Sequence, residues 1–377
     1  MNFSVLLPTR NGGPYLKDCI ESILNGLPDD SELIISDNAN IDETAEVISI
    51  YLKHPRIKVC RSDEILSVTD NWNNALKAAE GKYVLMMGDD DLLLPGYFDC
   101  MLEAINRFDN PDCILYNAYG YIAPGSMSNS SLSYYREEIF KFDHHFLQER
   151  ELEKDERKKI LLNMFKFKVG IPLNMQTILV KRSIFESIGG KFLPPFPDHY
   201  ALNAMLLEAK KWVYVPLKPV IVGMSPKSFG HFVYSNQQGS GLNYLGINPK
   251  FDGRLPGNEL LNGMHVWLQM LKENFPELNH VSIDRRQYVR RQVYAWLLQF
   301  RLSSINLHQL FSNLRLLGIK DWLGLMLSIF DSKSWIRFLK MGMISNRESA
   351  QVSQVKALPN IGTIQEFANW LSRGNGT

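Results

Sequence analysis

The chain has 377 residues, of which 45% are hydrophobic and 21% are charged, and its formal net charge is +1. This composition is typical of a soluble globular protein, and the near-zero charge excludes an overall field that attracts nucleic acid. The chain is longer than a typical domain with a single hydrophobic core, so we expect one large domain with an extension, or two domains.

Residues 1–119 alternate short apolar runs with helical patterns. The predicted strands are 3–7, 32–36, 57–60, 83–87 and 112–116, and the predicted helices between them are 14–25, 41–53, 70–80 and 96–107. This alternation predicts an α/β domain, with a mostly parallel sheet covered by helices on both faces. In such sheets, ligands bind beyond the carboxyl ends of the strands.

The second third of the chain is less regular. Gly125–Ser133 is a predicted loop, and Glu149–Lys159 is dense in both charge signs, which favours a solvated helix. Further predicted strands are 177–180, 212–215 and 220–222, with a helix at 199–210 and a loop at 224–245. From there the pattern is helical, at 257–274, 284–301, 307–317, 320–330, 332–342 and 363–373. We therefore predict an α/β domain at 1–240 and a helical C-terminal region at 241–377.

Cysteine usage and the chain start favour a cytoplasmic protein. The four cysteines, Cys19, Cys60, Cys100 and Cys113, have no paired metal-binding spacing and are expected to be reduced. The chain begins with a strand-like run and has no basic segment or cleavage site of a signal peptide. Its longest apolar stretch, Trp322–Phe330, is far shorter than the ~20 residues of a spanning helix.

Three polar clusters follow predicted strands of the same sheet: Pro8–Asn11, Asp37–Asn40 and Asp89–Asp91. Three consecutive carboxylates repel one another unless a positive charge lies among them. Carboxylate oxygens suit Mg²⁺ or Mn²⁺, and one or two carboxylates with substrate phosphates commonly hold such an ion. The alternative, capping of helix 96–107, would explain one aspartate of the three.

For Asp37 the alternatives are an Asx turn and an acceptor for a base or ribose.

Four motifs in register resemble the family-two glycosyltransferases of GT-A fold. They are Val5–Asn11, Ile34–Thr44, Asn71–Leu76, and Gly81–Asp91 with Pro95. Their order and spacing match over residues 3–100, and a weaker match continues to about 235. The resemblance implies an inverting transferase that uses a nucleoside diphosphate sugar and a hydroxyl acceptor, in polysaccharide, O-antigen or capsule biosynthesis.

The resemblance also implies roles for single residues. Thr9, Asn11 and Asp37 match the positions that hold the nucleotide base. Arg10 stands where the family often has Tyr, and would stack on a base or reach a phosphate. The triplet region contacts ribose, and Asp91 aligns with the metal-binding aspartate. The candidate substrate-binding residues are Thr9, Arg10, Asn11, Asp37, Asn38, Asn73, Asp89, Asp90 and His231, and the candidate ligand of Mg²⁺ or Mn²⁺ is Asp91.

The family's catalytic base is the aspartate of a Glu-Asp pair that lies after a Gly-Gly turn. Here Gly189-Gly190 is followed by Pro197-Asp198, so Asp198 is the candidate base although Pro197 replaces the glutamate. A carboxylate there would accept the proton of the attacking hydroxyl, while a divalent ion stabilises the leaving diphosphate. The alternative for Asp198 is a plain helix N-cap. His231 matches a histidine near the donor or acceptor, with a structural role as its alternative.

The C-terminal region is locally basic, because Asp284–Lys340 has ten Lys and Arg against three Asp. Arg285, Arg286, Arg290 and Arg291 share one predicted helix with Tyr288, Tyr294 and Trp296. This helix has three interpretations: a solvated face, packing against the first domain, or docking on anionic lipid or a lipid-diphosphate acceptor. In the last case, further apolar contact with the inner face of the membrane would come from Trp322–Phe330 and Trp335–Met343.

Two rival functions remain open at this point. A sugar-nucleotide pyrophosphorylase or other nucleotidyltransferase would have a Gly-rich, Arg-containing loop after the first strand, which Pro8–Gly13 matches poorly. A non-catalytic subunit that binds sugar nucleotides is favoured only by Pro197.

Overall fold

The computed structural model describes residues 2–127, 131–140, 148–168, 173–228, 250–301, 303–328 and 355–375. The strands are β1 (Phe3–Thr9), β2 (Glu32–Asn38), β3 (Ile57–Ser62), β4 (Tyr83–Met86), β5 (Leu92–Leu93), β6 (Cys113–Leu115), β7 (Tyr119–Ile122), β8 (Ser133–Arg136), β9 (Arg150–Leu152), β10 (Ile178–Lys181), β11 (Trp212–Tyr214), β12 (Val220–Met224) and β13 (Lys356–Leu358). The helices of the first 210 residues are α1 (Gly13–Leu24), α2 (Thr44–Tyr51), α3 (Val68–Lys77), α4 (Tyr97–Arg107), α5 (Lys154–Phe165), α6 (Arg182–Ser187) and α7 (Pro197–Glu208). The later helices are α8 (Glu259–Asn274), α9 (Arg285–Arg301), α10 (Leu307–Leu314), α11 (Ile319–Leu327) and α12 (Ile364–Trp370).

The main sheet has eight strands in the order β3-β2-β1-β4-β10-β6-β11-β9. Only β10 and β9 run antiparallel to their neighbours. The predicted mostly parallel α/β sheet is therefore confirmed. In the parallel register Thr9 lies opposite Asp37, and Asp37 lies opposite Arg61. The loops after β1, β2 and β3 consequently begin side by side at one edge of the sheet.

A second sheet, in the order β13-β8-β7-β12-β5, was not anticipated from the sequence. Its strand β13 pairs with β8, with Ala357 opposite Tyr134. Phe367 of α12 is fully buried and stacks on Tyr121 of this sheet. Residues 355–375 thus pack on the α/β domain, although the sequence pattern assigned them to the helical region.

The helices α8 and α9 share a core with the main sheet. Trp267, Tyr288 and Trp296 are 0% exposed and belong to the same apolar cluster as Leu6 and Val84 of the sheet. Buried aromatic side chains contribute large apolar areas to packing. Of the three interpretations of the basic helix, packing against the first domain therefore describes Tyr288 and Trp296.

Other sequence expectations differ in detail. Glu149–Lys159 forms β9 and the start of α5, and Arg157 is 2% exposed, so the prediction of a solvated helix is wrong in part. Hydrogen bonds from the Arg157 guanidinium to the carbonyl oxygens of Leu152, Leu206 and Ala209 offset the cost of burying its charge. The predicted helix 332–342 and the segment Trp335–Met343 lie outside the described residues. No helix in the part of the chain that the structure describes combines the length and apolar character needed to cross a membrane.

Candidate active site

Three loops that are distant in sequence meet at the carboxyl edge of β1 and β4. The Thr9 hydroxyl donates to Asp89 Oδ2 over 2.6 Å. The Lys227 ammonium donates to the same Asp89 oxygen over 3.0 Å, and to the backbone oxygen of Asn11 over 2.9 Å. The loops after β1, β4 and β12 are thereby joined around one carboxylate.

Gly12 permits this close approach. A Cβ atom at position 12 would lie 2.4 Å from Asp89 Oδ2 and 2.5 Å from Thr9 Oγ1. Any other residue would therefore push the loop away from the Thr9–Asp89 hydrogen bond. Lys227 itself was missed by sequence reasoning, because one lysine in a polar loop carries no signal of its own.

The other two aspartates of the triplet face the loop after β12. Asp90 Oδ2 accepts a hydrogen bond from the Ser225 amide over 3.0 Å. Asp91 is 2% exposed, and its two oxygens accept from the amides of Gly223 (2.8 Å) and Gly88 (2.5 Å). Burial, and then the charge of the neighbouring aspartates, raise the pKa of both Asp90 and Asp91.

These contacts test how well the triplet fits a divalent cation. Both oxygens of Asp91 already accept from backbone amides, whereas Asp89 and Asp90 are partly exposed. Among the described residues, no group of three or more His, Cys, Asp and Glu side chains is arranged to hold a metal. An ion held here would take one or two carboxylate oxygens and complete its shell with diphosphate and water. The assignment of Asp91 as the ligand stays a prediction.

A second network lies at the ends of β2 and β3. Asp37 is 2% exposed, and it accepts from Arg61 Nε over 2.8 Å and from the side-chain amide of Asn40. Asn11, at φ +54°, accepts from the Ile41 amide over 3.0 Å and donates its own amide to Asn40. These hydrogen bonds thus join the loops after β1 and β2 around the predicted base-binding residues.

Sequence reasoning also did not identify Arg61 as a site residue, although the parallel register places it directly opposite Asp37.

Asn38 has different neighbours, because its side-chain amide donates to the Leu66 carbonyl (3.0 Å) and accepts from the Leu66 amide (2.7 Å). It therefore holds the segment before α3. Arg10 is partly exposed at the end of β1.

Asp198 lies in the first turn of α7, after a segment that is clamped from two sides. The Asn73 side chain accepts from the Phe192 amide over 2.8 Å and donates to the Phe192 carbonyl over 3.1 Å. Trp267 of α8 donates its indole N–H to the Pro195 carbonyl over 2.7 Å. The segment from Phe192 to Asp198 is consequently fixed between α3 and α8.

The Asp198 side chain is 17% exposed, and one of its oxygens lies 4.0 Å from His199 Nε2. Burial lowers the pKa of His199, which keeps its ring neutral at neutral pH. Within the described part of the chain, no hydrogen bond or ion pair joins Asp198 to the aspartate triplet. His231 lies outside the described residues, so its predicted role is not placed.

The arrangement of strands and loops is that of a GT-A domain. Residues 4–169 match the family model described as Glycosyl transferase family 2. The family predicted from the motifs is therefore the one whose model matches this part of the chain.

Among curated proteins, the chain is similar to "Glycosyltransferase GlyG" of Streptococcus pneumoniae, with 24% identity over 31% of this chain and 39% of the relative. It is also similar to a protein of Campylobacter jejuni named as a GalNAc(5)-diNAcBac-PP-undecaprenol beta-1,3-glucosyltransferase. That similarity is 34% identity over 28% of this chain and 34% of the relative. The matched part thus spans about two fifths or less of these relatives.

Among solved structures, the fold is similar to that of S. aureus TarS 1-349 in complex with UDP-GlcNAc. The TM-score is 0.53 and the identity is 14%, over 96% of this chain and 98% of that one. This similarity extends the GT-A assignment to the overall fold.

Proposed function

We propose that this chain is an inverting glycosyltransferase. It moves a sugar from a nucleoside diphosphate sugar to a hydroxyl of a glycan or lipid-linked acceptor, in polysaccharide, O-antigen or capsule biosynthesis. The observation that carries the proposal is the meeting of Thr9, Asp89 and Lys227 at the carboxyl edge of the family-two domain. Support for the donor comes from TarS, whose structure was determined with UDP-GlcNAc. Support for the acceptor comes from the Campylobacter relative, whose name contains a PP-undecaprenol glycan.

We assign the two networks to two parts of the donor. The Asp37–Arg61 pair holds the base, because a buried carboxylate can accept from a base N–H while the exposed guanidinium stays beside it. The Thr9–Asp89–Lys227 cluster holds the ribose and diphosphate, because an ammonium attracts phosphate oxygens. Lys227 would then exchange part of its contact with Asp89 for a contact with the diphosphate.

We assign the general base to Asp198. Asp198 lies in the first turn of α7, directly after the clamped segment. The carboxylate accepts the proton of the acceptor hydroxyl as the oxygen attacks the anomeric carbon. Asn73 and Trp267 keep the segment in place while this happens.

A divalent ion, Mg²⁺ or Mn²⁺, completes the proposal. Asp89 and Asp90 offer the more accessible carboxylates, and Asp91 shapes the turn through its two amide contacts. Such an ion neutralises charge on the leaving diphosphate when it is bound.

The proposal and its rivals are separated by measuring nucleotide release. The protein is incubated with UDP-, GDP- and dTDP-sugars and Mn²⁺, either alone, with membrane lipid extract or oligosaccharide acceptors, or with added pyrophosphate. A glycosyltransferase releases nucleoside diphosphate faster with acceptor, whereas a nucleotidyltransferase consumes pyrophosphate and releases nucleoside triphosphate. A binding subunit is stabilised by donor, by ~2.7 kcal/mol at 100 times the dissociation constant, but releases nothing. If the protein binds the donor but no acceptor increases the release of nucleoside diphosphate, the proposal is contradicted.

A further inference from the structure

The helix α11 is amphipathic, but its apolar stripe points away from the protein. Ile319, Trp322, Leu323, Met326 and Leu327 recur at the spacing of one helix face, and all five are exposed. Ile319 is 81% exposed and Met326 is 60% exposed. In a globular protein such a stripe normally faces the core.

The polar face of the same helix is the one that docks on α9. Arg285 of α9 donates to both oxygens of Asp321, over 3.0 and 2.8 Å. Arg286 Nε donates to the Gly324 carbonyl over 3.2 Å, and a Cβ atom on Gly324 would lie 3.4 Å from the Arg286 side chain. The bidentate pair is the stronger kind of ionic contact and fixes the rotation of α11 about its axis. These contacts hold the apolar stripe outward.

Exposed apolar side chains also occur on the preceding helix α10 and in its connection to α11. The hairpin face is defined here as the exposed side chains Leu307, Phe311, Leu316, Ile319, Trp322, Leu323, Met326 and Leu327. Exposed basic residues, Arg315 and Lys320, stand beside it, and Asp321 is the one acidic residue within 303–328. Because Asp321 is paired with Arg285, the surface around the hairpin face is apolar with a positive fringe.

We propose that the hairpin face is a docking surface for an anionic lipid bilayer, in which α10 and α11 lie in the plane of the headgroups. An amphipathic helix with apolar and aromatic residues on one side and cations at its border binds such an interface. The positive fringe matches the negative charge of anionic lipids. Trp322, at the edge of the stripe, has the amphipathic ring that is enriched at headgroup depth.

The charge of this surface favours lipid over a second copy of the chain. In a two-fold dimer the hairpin face would meet itself, which brings Arg315 and Lys320 of both copies close together. Like charges that face each other across an interface oppose association. The sequence predicted a membrane contact through the basic helix α9, with Trp322–Phe330 adding apolar contact. The proposal keeps the part in α11 and drops α9, because Arg285 and Arg286 of α9 hold α11 and Tyr288 and Trp296 of α9 are buried.

The test measures binding of the full chain to vesicles by co-sedimentation. The vesicles contain either phosphatidylcholine alone or phosphatidylcholine with phosphatidylglycerol. We expect binding to the anionic vesicles that weakens as salt rises, because exposed charges are screened over ~8–10 Å at physiological ionic strength. The double variant Ile319→Asn/Met326→Asn should bind at least ~10-fold more weakly, since two large apolar side chains leave the interface.

Matched variants keep the proposal falsifiable. Ile50→Asn/Leu52→Asn removes two exposed apolar residues at the end of α2 and should bind vesicles as the parent does. Arg315→Gln/Lys320→Gln should lose most of the preference for anionic vesicles. Circular dichroism melting and UDP-sugar binding, measured on every variant, confirm that each one is folded and keep this test separate from the proposed transferase activity. Light scattering reports oligomeric state.

Three results would overturn the proposal. They are absence of binding to anionic vesicles, equal binding by the Ile319→Asn/Met326→Asn variant, and a dimer that this variant dissociates without any vesicle binding by the parent. The last result would make the hairpin face an interface between copies of the chain.

Discussion

Replacement of Asn73 by alanine distinguishes two roles for this residue, since the sequence predicts a substrate ligand and the structure shows a clamp on Phe192. The change removes two hydrogen bonds, of 2.8 and 3.1 Å, and leaves the Phe192 amide and carbonyl without this partner. At ~0.5–1.5 kcal/mol for each bond, the free energy of unfolding should fall by ~1–3 kcal/mol. Since ~1.4 kcal/mol corresponds to a factor of ten in rate, loosening the segment that carries Asp198 should lower turnover by up to about tenfold.

The assay combines urea unfolding, calorimetric titration of the donor, and turnover measured on one preparation of Asn73→Ala. The matched control is Asn74→Ala on the same helix, which loses hydrogen bonds to Ser36 and Cys60 but no contact with the clamped segment. We expect both variants to be destabilised and only Asn73→Ala to lose turnover, with donor affinity unchanged in both. Weaker donor binding by Asn73→Ala at unchanged stability would refute the clamp and restore Asn73 as a substrate ligand.

Five further substitutions test the rest of the site and one partly buried histidine. Asp37→Ala should weaken nucleoside diphosphate binding by ~1–3 kcal/mol in calorimetry, because Asp37 is a buried acceptor for the base. Asp198→Asn should leave donor affinity intact and cut turnover by ~10²–10⁴-fold, because it preserves shape and removes basicity. Asp90→Asn should abolish the stimulation of transfer by Mn²⁺ in a folded protein, whereas Asp91→Asn should mainly lower stability in urea, because it disturbs two backbone contacts. Burial and then the charge of Arg285 lower the pKa of His265 from 6.5 to about 4, so the unfolded chain takes up the proton first. The free energy of unfolding should therefore fall as pH drops from 6.5 toward 4, by up to ~3 kcal/mol, and His265→Phe should remove this part of the pH dependence.

Each of these expectations has a contrary result. Unchanged nucleotide affinity would reduce Asp37 to a residue that latches two loops, and near-normal turnover would place the base elsewhere than Asp198. Loss of the Mn²⁺ response at normal stability in Asp91→Asn would establish Asp91 as the ligand. An identical slope of stability against pH in His265→Phe and the parent would show that His265 is protonated equally in both states.

The α/β domain was predictable because its signals are local. Each of β1 to β4 is a short apolar run followed by a helical pattern, so the alternation alone gives a parallel sheet and the edge at which polar loops gather. The four motifs then indicated the family. The same local patterns predicted the position of the clamped segment, near Gly189-Gly190. They did not predict the contacts that hold it.

The features that were missed depend on distant contacts. Asp91 is held by the Gly223 amide, 132 residues away, so the triplet alone does not tell which carboxylate is pinned. Lys227 reaches Asp89 across 138 residues. The basic, aromatic pattern of α9 suits a buried helix and a docking helix equally, and only packing shows Trp296 to be core. The second sheet was not predicted because its strands are short and widely separated in the chain.

The pairing of β13 with β8 has a consequence for the order of synthesis. The Ser133 hydroxyl donates to the carbonyl of Leu358, which is 225 residues later. At ~5–20 residues per second, the ribosome adds those residues in roughly 10–45 s. Until then one side of β8 lacks its partner strand, and an unpaired strand edge can recruit strands from other chains. We therefore expect newly made chains to be most prone to aggregation through β8, and to depend on shielding there until α12 and β13 have emerged.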